Sequence, residues 1–433
     1  MEEDDVTEWE EAEVGGAFPR LAEAALGALG ELAENCGAAF LPYLEPSLAA
    51  VLDLTQFPQC QVRGAAYEAL GSLSCCGRGR ENQTAPSPAH QGAFQALLSG
   101  LRAEPEVGGA LGAVGGVGRI LQAPGPAPKE WLEPIGAALC DVIAGKIGCL
   151  RTRRDGDETS QLAELREAAS DWLLELGAAM ARAQTGSDPA QTGSDPSHTG
   201  SDLTFPPHLF RRILPSLLAA LADPAHPGAR SWAAAVIGQL GHALGAEATP
   251  FLPYLGPALR LAAGDADAEV RANVFYAVGR VGEAAGHAHL EGAWPGAELC
   301  CHALREGGEG PGKVRDNALG ALVRLGVPYE QSLPLALRSL PLSQDLQEEA
   351  PVLRWLLGAG TERLLPHVPA LVRGVGPALA LNRLDPALSQ SLLALLRRVG
   401  GPTPTTSGWA WPRWTPAHAA ILGRLLDDVI ADQ

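Results

Sequence analysis

The chain has 433 residues, with 32 basic against 50 acidic side chains and a formal net charge of −18, so it repels nucleic-acid phosphate and anionic membrane and attracts basic partners. Its length exceeds the roughly 250 to 300 residues that one globular core normally supports, which leaves several domains or a one-dimensional stack. Strand-like alternation of Val, Ile, Thr and Tyr is missing, and every apolar run is broken well short of the roughly 18 residues a membrane span needs, which points to an all-α chain with no membrane contact.

In chain order, residues 1–16 open with Met1 to Glu13, eight acids in thirteen positions. They read as a disordered acidic tail, or as a docking strip for a basic ligand with Trp9 as its apolar contact. Residues 17–183 form a first block of helices. Leu21, Ala25, Ala28, Leu29 and Leu32 lie at offsets 0, 4, 7, 8 and 11, one apolar stripe of a helix with 3.6 residues per turn. The same template fits from Val62, from Val107 and from Leu165. Between these inner helices run partner helices opened by Pro42, by Gln91 and by Trp131, the last expected to reach Ile147.

Residues 184–204 carry QTGSDPA, QTGSDPS and HTGSD in tandem, a tract too polar to order itself and hence a flexible insertion. A second block, 205–400, resumes the template at Ala229, Val270, Val314 and Leu388, with helix pairs expected near 207–244, 249–285, 290–326, 329–359 and 362–399. Asp265 and Asp267 precede the helix from Val270 as N-cap and first-turn acids, and Gly286 stops it. Residues 401–433 hold Trp409, Trp411 and Trp414 and a last amphipathic stretch, which read either as a cap over the final apolar face or as an aromatic patch.

Anchors about 40 residues apart mark a solenoid of two-helix repeats. Several are followed by Arg, at Arg63, Arg166, Arg230, Arg271 and Arg315, and Gly30, Gly71, Gly115, Gly238 and Gly279 sit beside the stripe, where a missing side chain lets helix backbones approach.

Chemistry is sparse. No phosphate-binding loop, nucleophile elbow or HExxH is present, and the Gly-rich run from Gly108 follows no strand, so neither an enzyme nor a nucleotide cofactor is expected. The eight Cys include no CxxC, and His287 and His289 have no companions to complete a metal shell, so no metal is expected. What remains is surface. Glu164, Glu167, Asp171 and Glu175 form an acidic row on one inner helix. Asn273, Asp316 and Asn317, in VRAN and VRDN, have two readings: hydrogen bonding between repeats together with Arg271 and Arg315, or a grip on an extended peptide whose Lys and Arg meet the acids.

The VRxxA…LG inner helices resemble HEAT repeats. The segments DDVTEWEEAE, LGALGELAENCGAAFLPYLEP, QVRGAAYEALGSLSCC, DAEVRANVFYAVGRVGEAAG, KVRDNALGALVRLG and LRSLPLSQDLQEE, in this order, are similar to the C-terminal half of karyopherin-β transport receptors, from Glu2 to about Val399. The resemblance implies a HEAT-repeat α-solenoid, a right-handed superhelix of about nine antiparallel helix pairs. It also implies a nuclear import receptor of the cytoplasm and nucleus that takes basic cargo, histones and ribosomal proteins among it, and that meets nucleoporins. Ran-GTP release belongs to the full-length family, whose Ran-binding surface lies largely in N-terminal repeats, and the resemblance begins midway through the family pattern. The competing expectation is a HEAT-repeat scaffold with no role in transport.

Overall fold

In the computed structural model of the protein the described residues are 18–76, 88–123, 127–151, 160–185, 205–286, 294, 296–306, 312–381 and 383–400. The acidic tail, the insertion beyond residue 185, His287, His289 and the Trp-containing segment 401–433 lie outside them. Among the described residues the regular structure is entirely helical, and no helix is long and apolar enough to cross a membrane. The chain divides into two compact units, Met1–Leu217 with Ala243–Gly245, and Leu218–His242 with Ala246–Gln433, so the division falls within the helix pair expected at 207–244.

The first unit contains α1 (Phe18–Asn35), α2 (Leu41–Leu54), α3 (Cys60–Cys75), α4 (Pro88–Ala103), α5 (Val107–Gln122), α6 (Lys129–Ile143), the single turn α7 (Gly148–Arg151), α8 (Ser160–Thr185) and most of α9 (Pro207–Leu221). Helices α1, α3, α5 and α8 stack in one layer, and α2, α4 and α6 cover it as a second. The template explains the layering. Val62, Ala66, Ala69, Leu70 and Leu73 are each at most 3% exposed in α3, and Leu165, Ala169, Leu173 and Leu176 are fully buried in α8. Each such Leu contributes about 1.5 to 3 kcal/mol on leaving water. In the covering layer, Trp131 of α6 stacks on Phe94 of α4 with ring centroids 4.4 Å apart and 5° between planes.

The second unit contains α10 (Pro227–Ala243), α11 (Leu252–Ala262), α12 (Ala268–Ala285), α13 (Gly296–Glu306), α14 (Gly312–Arg324), α15 (Tyr329–Ser339), α16 (Glu349–Gly358), the turn α17 (Thr361–Leu364), α18 (Val368–Ala380) and α19 (Pro386–Gly400). Here α12, α14, α16 and α19 form one layer and α11, α13, α15 and α18 the other. Of the two acids before α12 it is Asp267 that caps the helix, accepting from the N–H groups of Glu269 at 2.8 Å and Val270 at 3.1 Å, and Gly286 ends it at φ 79°. Asp265 instead accepts a two-pronged hydrogen bond from Arg230. This is an all-α HEAT-repeat solenoid.

Three expectations need correction. Helix α6 ends at Ile143 and not at Ile147, because Gly145 turns the chain at φ 68°. The close approach in α5 is made by Gly116, one residue past the expected Gly115: a Cβ on Gly71 would lie 2.2 Å from the Gly116 carbonyl oxygen. The expected stripe of α1 is open, since Leu21 is 69% and Leu32 50% exposed, and α1 packs through Leu26, Gly30 and Ala33.

Candidate functional site

The residues singled out in VRAN and VRDN are engaged inside the protein. Asn273 donates from Nδ2 to Ser231, 2.9 Å to Oγ and 3.3 Å to the carbonyl oxygen, tying α12 to α10. Asp316 is fully buried, and its Oδ2 accepts from three successive backbone N–H groups, of Ser343 (2.9 Å), Gln344 (2.8 Å) and Asp345 (3.1 Å). Asn317, 2% exposed, donates to the Lys313 carbonyl and to Asp345 Oδ2. The expectation that Asp316 and Asn317 line a surface is therefore corrected: a carboxylate cradled by a turn, and an amide bridging that turn to the helix, are hydrogen-bonding between repeats. Their neighbour Arg315 joins in, with Nη2 reaching Asp316 Oδ1 and Ser343 Oγ.

The arginines after the other anchors do related work. Arg63 donates through Nη1 to the carbonyls of Phe57 and Pro58 in the turn before α3, and through Nη2 to Glu104 at 2.5 Å and Glu106 at 3.0 Å in the turn before α5. Arg230 likewise holds the Asp223 carbonyl and, across to the turn before α12, Asp265. The Arg230 guanidinium keeps the Asp265 carboxyl below its ordinary range. These pairs clamp repeats together.

The acidic row on α8 lies on its solvent side. Glu164, Glu167 and Asp171 are exposed, and Glu175 is half-buried and paired with Arg182 at 2.9 Å. Partial desolvation of the Asp171 carboxyl against the helix, and then the charge of Glu167, raise it above the usual carboxylate range.

A groove of about 480 Å³ crosses α1, α3 and α5 in the same layer. Its floor is largely backbone, at Gly27, Gly30, Gly64, Gly108 and Gly112, and its rim carries Glu23, Glu31, Gln61 and Glu68. The one cation on the lining, Arg119, is held by Glu34 at 3.1 Å, and Glu34 also accepts from Ser72 Oγ at 2.6 Å. Glu23, Glu31 and Glu68 have no cationic partner among the described residues, so the groove keeps a negative potential over a floor that admits close approach of another main chain.

The sequence reading missed these three glutamates, although a signal for them exists. Glu23 and Glu31 stand at offsets 2 and 10 from Leu21, and Glu68 at offset 6 from Val62; Glu167, Asp171 and Glu175 stand at offsets 2, 6 and 10 from Leu165. One side of the repeated helix thus carries the acids in α1, α3 and α8. Among the described residues no group of three His, Cys, Asp or Glu is placed to hold a metal ion.

No protein-family model matches the chain. Among curated proteins it is 30% identical to human (Homo sapiens) importin-4 over 88% of its own length, and 27% identical to mouse (Mus musculus) importin-4 over 91%. The chain spans only 36% and 37% of the length of those relatives. Among solved structures its fold is similar to Kap121p bound to RanGTP (TM-score 0.59, 16% identity), to Kap121p bound to Pho4p (TM-score 0.60, 15% identity) and to the karyopherin Kap121p bound to the extreme C-terminus of Cdc14p (TM-score 0.58, 16% identity). Each match covers 94% of this chain and 36% of Kap121p.

Proposed function

The chain belongs to the karyopherin-β (importin) family, and from that premise we propose that it serves as the cargo-binding part of a nuclear transport receptor. Its cargo is a basic polypeptide of the histone or ribosomal-protein kind, taken up in extended form. The observation that carries this reading is the groove over α1, α3 and α5, where three glutamates with no cationic partner among the described residues stand above a floor of glycine backbone. An extended strand lies flat on such a floor, and its Lys and Arg side chains reach Glu23, Glu31 and Glu68, with Gln61 at hand for a peptide group. Glu164, Glu167 and Asp171 on α8 extend the acidic side of the layer and form a second contact for a longer basic segment.

Nucleoporins are a further partner in this reading, with Ran-GTP a partner of the full-length family, and movement between cytoplasm and nucleus is its consequence. Crystal structures of Kap121p bound to Nup53p and to RanGTP support those two partners by analogy.

The test is binding of a fluorescent Lys- and Arg-rich histone-tail peptide to the full chain at physiological salt. Replacing Glu23, Glu31 and Glu68 together by Gln is expected to weaken binding roughly tenfold, since three partly exposed pairs contribute about 0.2 to 1 kcal/mol each. Raising the salt should weaken the parent and narrow its difference from the variant. Equal binding by parent and triple variant, or binding indifferent to salt, would refute the groove and favour a scaffold that meets partners elsewhere.

A further inference from the structure

At one end of the groove over α1, α3 and α5 an arginine reaches across a whole helix. Helix α3 lies between α1 and α5 and packs against both. Arg119, in the last turn of α5, nevertheless donates through Nη1 to both carboxylate oxygens of Glu34 on α1, at 3.1 and 3.2 Å. The α3 residue beneath this bridge is the small Ser72, whose Oγ donates to the same carboxylate at 2.6 Å. The helices do not depend on the bridge to stay together. They already meet closely, at Gly30 against Ser72 and at Gly71 against the backbone of Gly116. The pair is also wet, with the Arg119 side chain 43% and that of Glu34 31% exposed, whereas the clamp of Arg63 on Glu104 leaves those side chains only 10% and 2% exposed. An ion pair bathed in water contributes little, and a competing charge can take its place.

We propose that Arg119 is a resident competitor of the cargo: its guanidinium holds on Glu34 the place that a cargo arginine would take, and so sets both the affinity and the side-chain preference of the groove. This rests on the reading of the groove as a seat for a basic polypeptide. Glu34 stands one turn beyond Glu31 on α1, at the edge of the lining, since the lining residues Ser72 and Arg119 both bond to it. With Arg119 in place the groove offers Glu23, Glu31 and Glu68 and carries a positive charge at one end, which lowers its pull on a basic segment. A cargo arginine can exchange for Arg119, because a second planar fork reproduces both bonds to the carboxylate. A lysine brings a single point charge and does not. The groove is thereby tilted towards Arg-rich over Lys-rich segments of equal charge. Once displaced, Arg119 stays beside the bound segment as a like charge, which favours release.

The experiment measures binding of two fluorescent probes of equal charge, nona-arginine and nona-lysine, to the full chain at physiological salt. Arg119→Gln is expected to tighten nona-lysine about two- to fivefold, the span of one partly exposed pair, and nona-arginine by less. Glu34→Gln, which leaves Arg119 in place without its acid, should weaken both probes by a similar factor. The double variant should return close to the parent. Arg119→Lys, a point charge in place of the fork, should fall between the parent and Arg119→Gln. Far-UV circular dichroism and thermal midpoints should stay with the parent throughout. If Arg119→Gln binds both probes as the parent does, or more weakly, while the triple Gln variant at Glu23, Glu31 and Glu68 has lost affinity, the proposal is overturned and the groove reading stands. Equal binding by the parent and that triple variant removes the groove reading and this proposal with it. A lowered thermal midpoint in Arg119→Gln, with no gain in binding, assigns the bridge to holding the helices and likewise overturns the proposal.

Discussion

Removing Arg63 while leaving Glu104 in place strands a carboxylate that is 3% exposed and whose best partner is gone. A buried pair broken on one side costs about 3 to 5 kcal/mol. Arg63→Ala should therefore lower the urea midpoint of the first unit by an amount equivalent to about 3 kcal/mol. Arg63→Ala with Glu104→Gln together should recover part of it, because the stranded charge is then neutral. His242, on α10, makes a second residue-level prediction. Burial depresses its pKa below the ordinary imidazole value, and the neighbouring Arg280 guanidinium adds to this, while Glu283 opposes it. The folded protein thus takes up the proton less readily than the unfolded chain. Stability is full above the unfolded value of about 6.5 and falls as the pH drops through it. Thermal melts from pH 7.5 to 5.5 should show the midpoint falling, and His242→Asn should flatten that part of the profile.

At the scale of helices, the approach of α3 to α5 fixes how tightly two repeats stack. Alanine in place of glycine within a helix normally stabilises by about 0.5 to 1 kcal/mol. At Gly71 the added methyl would meet the backbone of Gly116 at 2.2 Å, so the helices must part. Gly71→Ala should reverse the usual sign and cost about 2 kcal/mol in chemical denaturation. Gly92→Ala in α4, where nothing lies within 4 Å, should keep the usual sign. The order of the helices, the caps at Asp267 and Gly286 and the stripes of α3, α8, α10 and α19 were all legible from apolar periodicity, because 3.6-residue spacing and helix stop signals act within a few turns. The exposed stripe of α1 was not. Periodicity reports that a face is apolar and is silent on whether a neighbour covers it.

At the scale of the whole molecule, a net charge of −18 marks basic partners as the expected class, but a total does not say where charge accumulates. The acids of α8 were visible as a local row. Glu23, Glu31 and Glu68 are spread over two helices and become one groove only when α1 and α3 stack. For Asp316 and Asn317 two readings stood open, a lining or hydrogen bonding between repeats, and the return of the Ser343–Asp345 turn, 27 to 29 positions later, decides for the second. The salt dependence expected of peptide binding belongs to this scale as well, since it measures the summed field and not one pair.

The arginine clamp has a consequence for how such a chain can change over generations. Arg63 and Arg230 each grasp a carbonyl of their own turn and an acid standing three residues before the next inner helix, Glu104 before Val107 and Asp265 before Ala268. Because the same coupling recurs, a gene rearrangement that duplicated or excised one helix pair in frame would present each arginine with an equivalent acid from its new neighbour. Such joints behave like standard fittings, and a lineage can lengthen or shorten its stack at them without designing a new connection.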